Sequence, residues 1–532
     1  MWKLAAVMFI LLSSVAEGQP SYLKVFRGTG TAQGNLNELS SGNLRIGVAR
    51  QSGTALIDPL GGILQTHNYL IDSFLVLQAI KRYTDNDFYF VGGYQKDSCS
   101  ASGTLTLPFI HPVIGHMDSL GNIEEAHHYV LNSERCNNNA QDLEVLQGGG
   151  AIVWGARQNV LFLLRSDANG QAAWAKSFSS TGSFRFVKEL PGGDLIAGFN
   201  IDTAGGAVAR LDADGNFIWC KSYFRPKGMV HDAIIESDDS FLITGYTDST
   251  LTDFFTPLPL TFQPKLFMMK LNGDGEVQWC RGYDSAPHYW HTPKGSRIVR
   301  SQDSKYVVLA TMGRSGYNWF YQPMLLKLNL NGDTIWTRTM GITGYDYEAR
   351  DLLAYSDGGF LYDGRLWGDL PEGQASFAFL HKTDSLGHLP CAEHWHPLEI
   401  LDLFPSDSSF VLSWTEGAVT FPAYLSDTTY PPIVQYDGCD FATSLQYISR
   451  LPKKATVRPN PTPGRFTVEF QDPLVKDSYY SVYDAMGKLL FQRVAAHGQK
   501  TEEVDLTGYG KGTYVIRFTD REGTCYERVV VE

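Results

Sequence analysis

The sequence predicts an all-β protein: a β-propeller of seven blades followed by a small C-terminal immunoglobulin-like β-sandwich. Three observations carry this. A short motif recurs along most of the chain, the composition suits turn-rich strands, and the last residues carry a strand pattern of their own. In the motif an apolar strand leads to Asp or Asn, with Gly three residues later and, in the best copies, Trp four after that (residues 161–174, 209–219, 266–279 and 325–336). Degenerate copies centre on Gly61, Gly121 and Gly387. The seven acidic or amide positions are Asp58, Asp118, Asp167, Asp212, Asn272, Asn329 and Asp384, and successive glycines lie 45 to 60 residues apart. That is the period of a four-stranded blade with variable loops.

A second hairpin signal precedes each copy, as in residues 186–198, 232–245 and 352–364, where short apolar strands flank a Gly/Asp-rich turn. One unit therefore reads strand, tight turn, strand, long loop, strand, tight turn, strand, long loop. A parallel β-helix or tandem sandwiches are the competing architectures. An eighth hairpin signal at residues 400–414 leaves eight blades open. The expected division is a signal peptide over 1–18, the propeller over 19–390, a cap or linker over 391–455 and the C-terminal module over 456–532.

Composition agrees. Of 532 residues 52 are Gly, aromatics make up 13% and charged residues only 19%, which argues against disorder and coiled coil. A formal charge of −13 disfavours nucleic acid, whose phosphates need clustered Lys and Arg. At the N-terminus Lys3, the apolar run 4–12 and Ala16-Glu17-Gly18 before Gln19 form a signal-peptide pattern, and no cysteine follows for a lipid anchor. No later stretch is long enough to span a bilayer as a helix, so no transmembrane segment is expected in the mature chain. Seven cysteines give an odd count; Cys99–Cys136 and Cys391–Cys439 are the pairings weighed, against buried free thiols.

Strand alternation places all tight turns on one face of the disc and all long loops on the other. The long loops are read at 94–112, 132–142, 223–231, 246–264, 283–294 and 313–323, and they are rich in aromatics. Insertions in repeat proteins gather on the binding face. Three neighbouring loops supply the candidate ligand-binding set Tyr283, His288, Tyr289, Trp290, His291, Tyr317, Trp319 and Tyr321, with Phe254, Phe255, Phe262 and Phe320 nearby. Such rings stack on sugars or serve protein recognition, or else they fill gaps between blades. Trp174, Trp219, Trp279 and Trp336 sit at a fixed repeat position and are expected between blades.

Chemistry is harder to place. Asp212-Ala-Asp214-Gly215 and Asn272-Gly-Asp274-Gly275 lack the further oxygen ligands of a calcium loop, and a hairpin turn explains them. The pairs His127/His128, His288/His291 and His394/His396 carry no metal-binding motif, so no metal and no cofactor is expected. No nucleophile elbow, P-loop or catalytic cysteine signature appears, and Gly28-Thr-Gly30 precedes a strand rather than a helix. No catalytic residue can be named.

The C-terminal motifs are Val457-Arg458-Pro459-Asn460-Pro461-Thr462-Pro463-Gly464, then Val482-Tyr483-Asp484-Ala485-Met486-Gly487-Lys488, then Lys511-Gly512-Thr513-Tyr514, and Glu527-Arg528-Val529-Val530-Val531-Glu532. Together they resemble the type A C-terminal sorting domain of cargo of the type IX secretion system of Bacteroidetes. By that resemblance the chain is secreted or held at the outer surface, with the secretion machinery as partner. Pro459, Asn460, Pro461, Gly464, Gly487, Gly512 and Tyr514 would carry recognition. The central repeats look like propeller repeats of exported Bacteroidetes proteins. They are also similar to the tryptophan-docking repeats of pyrroloquinoline-quinone enzymes, but the Asp-to-Gly step is one residue shorter and the vicinal cysteine pair is missing. Sialidase Asp-boxes place Trp one residue nearer the Gly. The function expected is binding or adhesion to an extracellular glycan or protein, the alternatives being a polysaccharide hydrolase or lyase working from the long-loop face, or an architectural surface-layer component.

Overall fold

The computed structural model describes residues 21–437 apart from 28–35, 49–52, 71–74, 102–104, 132–137, 158–159, 202–204, 224–227, 249–263, 286–289, 315–319, 342–344, 371–372, 390–392, 396–397, 406, 424 and 429–434, and residues 455–532 apart from 471–478, 485–488, 495–497 and 521–522. Every regular element described is a β-strand. The chain divides into two compact units, Met1–Cys439 and Asp440–Glu532.

The first unit is a propeller of seven blades. Blade 1 runs from Asn37–Glu38 to Ile63–Leu70, blade 2 from Leu75–Arg82 to Ile123–Leu131, and blade 3 from Asn138–Val145 into Ala172–Glu189. That last strand serves twice: its first half closes blade 3 against Val160–Ser166, and its second half opens blade 4 against Leu195–Ile201. Blade 4 ends at Phe217–Ser222, blade 5 spans Met229–Ile235 to Val277–Ser285, and blade 6 spans Trp290–Arg300 to Thr334–Met340. Blade 7 takes three strands from Asp346–Ala354, Phe360–Leu370 and Gly373–Thr383. Its fourth is the N-terminal strand Tyr22–Arg27, paired from Tyr22↔Lys382 to Arg27↔Phe377. Hydrogen bonds between the chain's beginning and its last blade thus close the ring and leave no open end.

The apolar core is divided among the blade interfaces. Each strand alternates its side chains between the two faces of its sheet, and each face meets the next blade. Ile152, Leu161 and Leu163 of blade 3 meet Leu195, Ala197 and Leu211 of blade 4. Phe186 and Ile196 of blade 4 meet Phe241, Phe267 and Met269 of blade 5. Blades 5 and 6 repeat the pattern through Met268, Tyr283, Val308 and Leu326.

Residues 393–437, expected as a cap or linker, form a belt instead. Seven short strands each add a fifth strand to a blade, in reverse order round the ring. Glu393–Trp395 joins blade 6, Leu398–Asp402 blade 5, Ser408–Ser409 blade 4 and Trp414–Glu416 blade 3. Ala418–Pro422 then joins blade 2, Ser426–Thr428 blade 1 and Gln435–Asp437 blade 7. Along its course the belt sends apolar plugs into the interfaces, Leu412 with Phe410 and Trp414 at one, Leu403 at another. The hairpin signal at 400–414 is thus belt, and the blade count is seven. Strands this short also blunt the outer edges against pairing with other chains.

The second unit packs a three-stranded sheet (Ala455–Arg458, Arg465–Phe470, Thr501–Asp505) and a four-stranded one (Leu489–Val494, Tyr479–Asp484, Gly512–Asp520, Gly523–Val531). Phe466, Val468, Val482, Val504, Ile516 and Val529 fill the space between them, as the alternating burial of Arg465–Phe470 requires.

Candidate functional site

The recurring motif explains itself on the tight-turn face. At all seven turns the Asp or Asn side-chain oxygen accepts backbone N–H bonds from within the turn. Asp212 Oδ1 takes them from Asp214 (3.0 Å) and Asn216 (2.8 Å), and Asn329 Oδ1 from Asn331 and Asp333 (both 2.9 Å). Asp58, Asp167, Asn272 and Asp384 do the same, and Asp118 accepts one, from Asn122. These oxygens are committed to the turn. The turn glycine then holds a positive φ, +75° at Gly215 and +74° at Gly275, where the preceding blade lays a tryptophan over it. A Cβ on Gly215 would come within 2.8 Å of Trp174, and one on Gly275 within 2.8 Å of Trp219. The indole N–H groups of Trp174 and Trp219 donate to the carbonyls of Ala213 and Gly273 (both 3.0 Å). The expected inter-blade packing of the tryptophans is what these contacts describe, with the rings half-buried at the disc surface.

A second latch, four residues further on, uses tyrosine. Tyr69, Tyr129 and Tyr223 donate to the carbonyls of Gly121, Gly170 and Gly275 of the following blade (each 2.6 Å). Tyr283 does so to Gly332 (2.7 Å) and is completely buried. This corrects its place among the ligand-binding residues: Tyr283 points away from the long loops and fastens blade 5 to blade 6. Between the two latches, Lys221 pairs with Glu276 and Arg281 with Asp333 across the same interfaces.

On the long-loop face, Trp290 and His291 lie in the strand Trp290–Arg300, paired with Arg314 and Gly313, rather than in a loop. Tyr321 is half-buried in Phe320–Leu328, its backbone N–H donating to Asp346 Oδ1 of blade 7 (2.7 Å). His288, Tyr289, Tyr317 and Trp319 lie outside the described residues, as do Phe254, Phe255 and Phe262. The expected loop 94–112 is a hairpin extension, its strands paired out to Ala101↔Leu105. The tight-turn face carries exposed leucines at the turn tips of three blades, Leu60, Leu120 and Leu330, with Leu386 at the turn after Gly373–Thr383.

The axis is where sequence reasoning missed a cluster. The first strands of successive blades lie against one another around the centre. In blades 2 to 7 each carries a β-bulge five residues before its tight turn, with Gln78, Gln141, Arg185, His231, Ser296 and Arg350 as the extra residues. A bulge re-aims the side chains beside it. The next residue is charged in four of these strands: Asp142, Asp232, Arg297 and Asp351. Arg297 Nε lies 3.3 Å from Asp351 Oδ1 and Nη2 3.7 Å from Asp142 Oδ2, while Asp232 Oδ2 accepts the N–H of Ile298 (3.0 Å). Burial opposes the Arg297 charge, but Asp232, Asp351 and Asp142 overcome it and hold its pKa above the ordinary value. Asp351 also accepts the N–H of Leu36 beside blade 1 (3.1 Å). Burial works against its charge too, yet Lys81 and Arg297 keep it below the usual carboxylate range. Asp363, fully buried behind it, is pushed well up by burial and by the Asp351 charge. Lys188 and Glu144 form a further axial pair at 3.1 Å. The readable signal was a charged residue four before the tight turn within an apolar strand, repeated at one position in several copies.

Elsewhere, His127 sits 3.3 Å from Glu125 and His128 stacks on Phe421 of the belt at 5.2 Å. Among the described residues no group of three or more His, Cys, Asp or Glu is placed to hold a metal ion. Cys220 and Cys280 are buried free thiols, whereas Cys136, Cys391 and Cys439 lie outside the described residues. In the second unit Asn460 donates to the Arg528 carbonyl (2.6 Å) and accepts from Val530 N–H (2.9 Å). The Tyr514 hydroxyl lies 2.8 Å from the carbonyls of Tyr509 and Gly510. Gly464, at φ +113°, lies against Thr507, and Gly512 pairs with Val531. Pro459 and Pro461 are exposed, and Gly487 is outside the described residues.

Residues 456–532 match the family described as Secretion system C-terminal sorting domain, so the chain is an exported one, secreted or attached at the cell surface. The same match makes the secretion machinery a partner. No described helix is long and apolar enough to cross a membrane. No curated protein matches the chain. Among solved structures it is similar to a streptogramin B lyase (11% identity, TM-score 0.40), covering 69% of this chain and 100% of that one. It is also similar to Drosophila Plexin A in complex with Semaphorin 1b (8%, TM-score 0.32; 69% and 87%) and to a Bacteroides caccae protein of unknown function (13%, TM-score 0.23; 47% and 93%). At these scores the likenesses carry no argument, and the propeller assignment stands on the strand order above.

Proposed function

We propose that the protein is a secreted or surface-displayed binding module, whose propeller takes an extracellular glycan or protein ligand at the axial mouth of its long-loop face. The observation that carries this reading is the ring of bulges. Six of seven innermost strands spend an extra residue at one height, and the residue after it in four of them, Asp142, Asp232, Arg297 or Asp351, joins one buried polar cluster. The opposite face has its turn oxygens committed to the turns themselves and its tryptophans and tyrosines to holding blades together. Tyr289, Trp290, Trp319 and Tyr321, the aromatic set read from the sequence, are the residues this proposal tests as ligand contacts.

A hydrolase or lyase is the second reading, favoured by one observation: Asp351 is held ionised while Asp363 is pushed toward its protonated form. Such a split is how one site acquires an acid and a base. We place it second because Asp363 is completely enclosed and Asp351 is already engaged by Arg297 and Leu36 N–H.

The test is an array of glycans and extracellular proteins probed with the purified chain and with a variant carrying Tyr289→Ala, Trp290→Ala and Trp319→Ala. Loss of a specific signal in a variant with unchanged melting temperature supports the long-loop face. An unchanged signal removes it.

A further inference from the structure

We infer that Arg185 is the recognition point of a carboxylate-binding subsite at the propeller axis, so that the ligand carries a carboxylate group. The inference rests on the binding reading above and names the chemistry of its deepest contact.

Arg185 is the extra residue of the blade 4 bulge. Its Nη2 lies 3.1 Å from Nδ1 of His231, the extra residue of the blade 5 bulge, so consecutive bulges meet side chain to side chain. A guanidinium only donates, so His231 accepts through Nδ1 and is the tautomer protonated on Nε2. Arg185 Nε–H is buried without an acceptor. Around it Arg297 touches Asp351 and Asp142, Lys188 touches Glu144, and Arg350 lies 3.2 Å from Glu348, while Lys81 acts on Asp142 and Asp351. Among the described residues Arg185 has no carboxylate in contact. Asp232 and Tyr246 act on it favourably from further away, whereas burial and the nearby Arg297 charge both weigh against it. It nevertheless keeps part of its surface open.

A buried cation left without a contacting anion is costly unless something supplies one. Asp232 is engaged elsewhere, its Oδ2 accepting the Ile298 N–H. A planar carboxylate is the partner that the guanidinium fork fits best, by two parallel N–H···O bonds. His231 Nε2–H would stand beside it as a further donor. In a chain of net charge −13, an axial cation with no carboxylate in contact also discriminates: an anionic ligand is repelled over the surface and accepted only where its charge reaches that cation.

The experiment is calorimetric titration of the full chain at low ionic strength with glucuronate, glucose 6-sulfate and glucose. The account expects binding of glucuronate and none of glucose. It further expects glucuronate affinity to fall roughly tenfold or more in Arg185→Gln, and to fall less in Arg185→Lys, which keeps the charge and loses the fork. Equal binding of glucuronate and glucose by the unaltered protein overturns the subsite without any variant, as does failure to bind glucuronate. Tighter binding of the sulfate overturns the assignment to carboxylate. Should the array yield a ligand that depends on Tyr289, Trp290 and Trp319 but not on Arg185, the long-loop reading survives and this inference falls.

Discussion

The hydroxyl of Tyr283, on the last strand of blade 5, donates a 2.7 Å hydrogen bond to the carbonyl of Gly332 in the tight turn of blade 6. The bond is buried, so Tyr283→Phe is expected to cost about 1 kcal/mol, or up to about 3 if the carbonyl finds no substitute donor. Ligand binding should not change. Urea denaturation of the variant measures the first, and the array signal checks the second.

Gly275 and Trp219 test the other latch. Alanine at 275 would meet the indole at 2.8 Å in a backbone held at φ +74°. The left-handed conformation costs about 1–2 kcal/mol and the overlap about 1–3 more. A cycle with Trp219→Leu should recover the overlap and leave the backbone cost, giving a coupling of at least about 0.5 kcal/mol. Strict additivity in denaturation midpoints would mean that the two residues are not in contact.

The belt can be followed through two thiols. Cys220 shares its interface with Leu412 and Phe410, and Cys280 shares its own with Leu403. Burial pushes the Cys220 thiol up to about 12 and raises that of Cys280 as well, so neither should react readily near neutral pH. Truncating the plugs with Leu403→Ala and Leu412→Ala should speed alkylation of both, by roughly tenfold or more, while the blades stay folded. Peptide mapping of the labelled cysteines reads the result.

His381 makes stability pH-dependent. It is fully buried in blade 7, with Nδ1 2.8 Å from the Tyr362 hydroxyl, and burial pushes its pKa down to about 3. In the unfolded chain it titrates near 6.5, so between about 6.5 and 3 only the unfolded state takes up this proton. Its contribution is complete above about pH 6.5 and is lost as pH falls, at up to about 1.4 kcal/mol per unit. His381→Asn should flatten the slope of unfolding free energy against pH over that window relative to the unaltered chain.

What could be read in advance was what repeats. Seven Asp/Asn-to-Gly turns exposed the blades, because a φ-positive hairpin position is demanding enough to leave Gly each time. The C-terminal motifs identified their domain for a similar reason. The tyrosine latch was legible too, since Tyr69, Tyr129, Tyr223 and Tyr283 each follow the turn glycine by eight residues, but a tyrosine near an aromatic loop reads equally well as a ligand contact. The belt was not legible. Its strands are two to five residues long and pair on one edge only, so they need no alternation, and the pairing of Ser408–Ser409 leaves no pattern. Ring closure by Tyr22–Arg27 escaped because it joins residues 350 or more apart. At the axis, Asp142, Asp232, Arg297 and Asp351 belong to four blades and converge only in space.

The most direct test of the account compares the two faces in one binding assay. One variant carries Tyr289→Ala, Trp290→Ala and Trp319→Ala on the long-loop face. The other carries Leu60→Ser, Leu330→Ser and Leu386→Ser at the exposed turn tips of the opposite face. The account predicts that the array signal is lost in the first and kept in the second, with both folded. A signal kept in the first and lost in the second would contradict it and move the working surface to the tight turns.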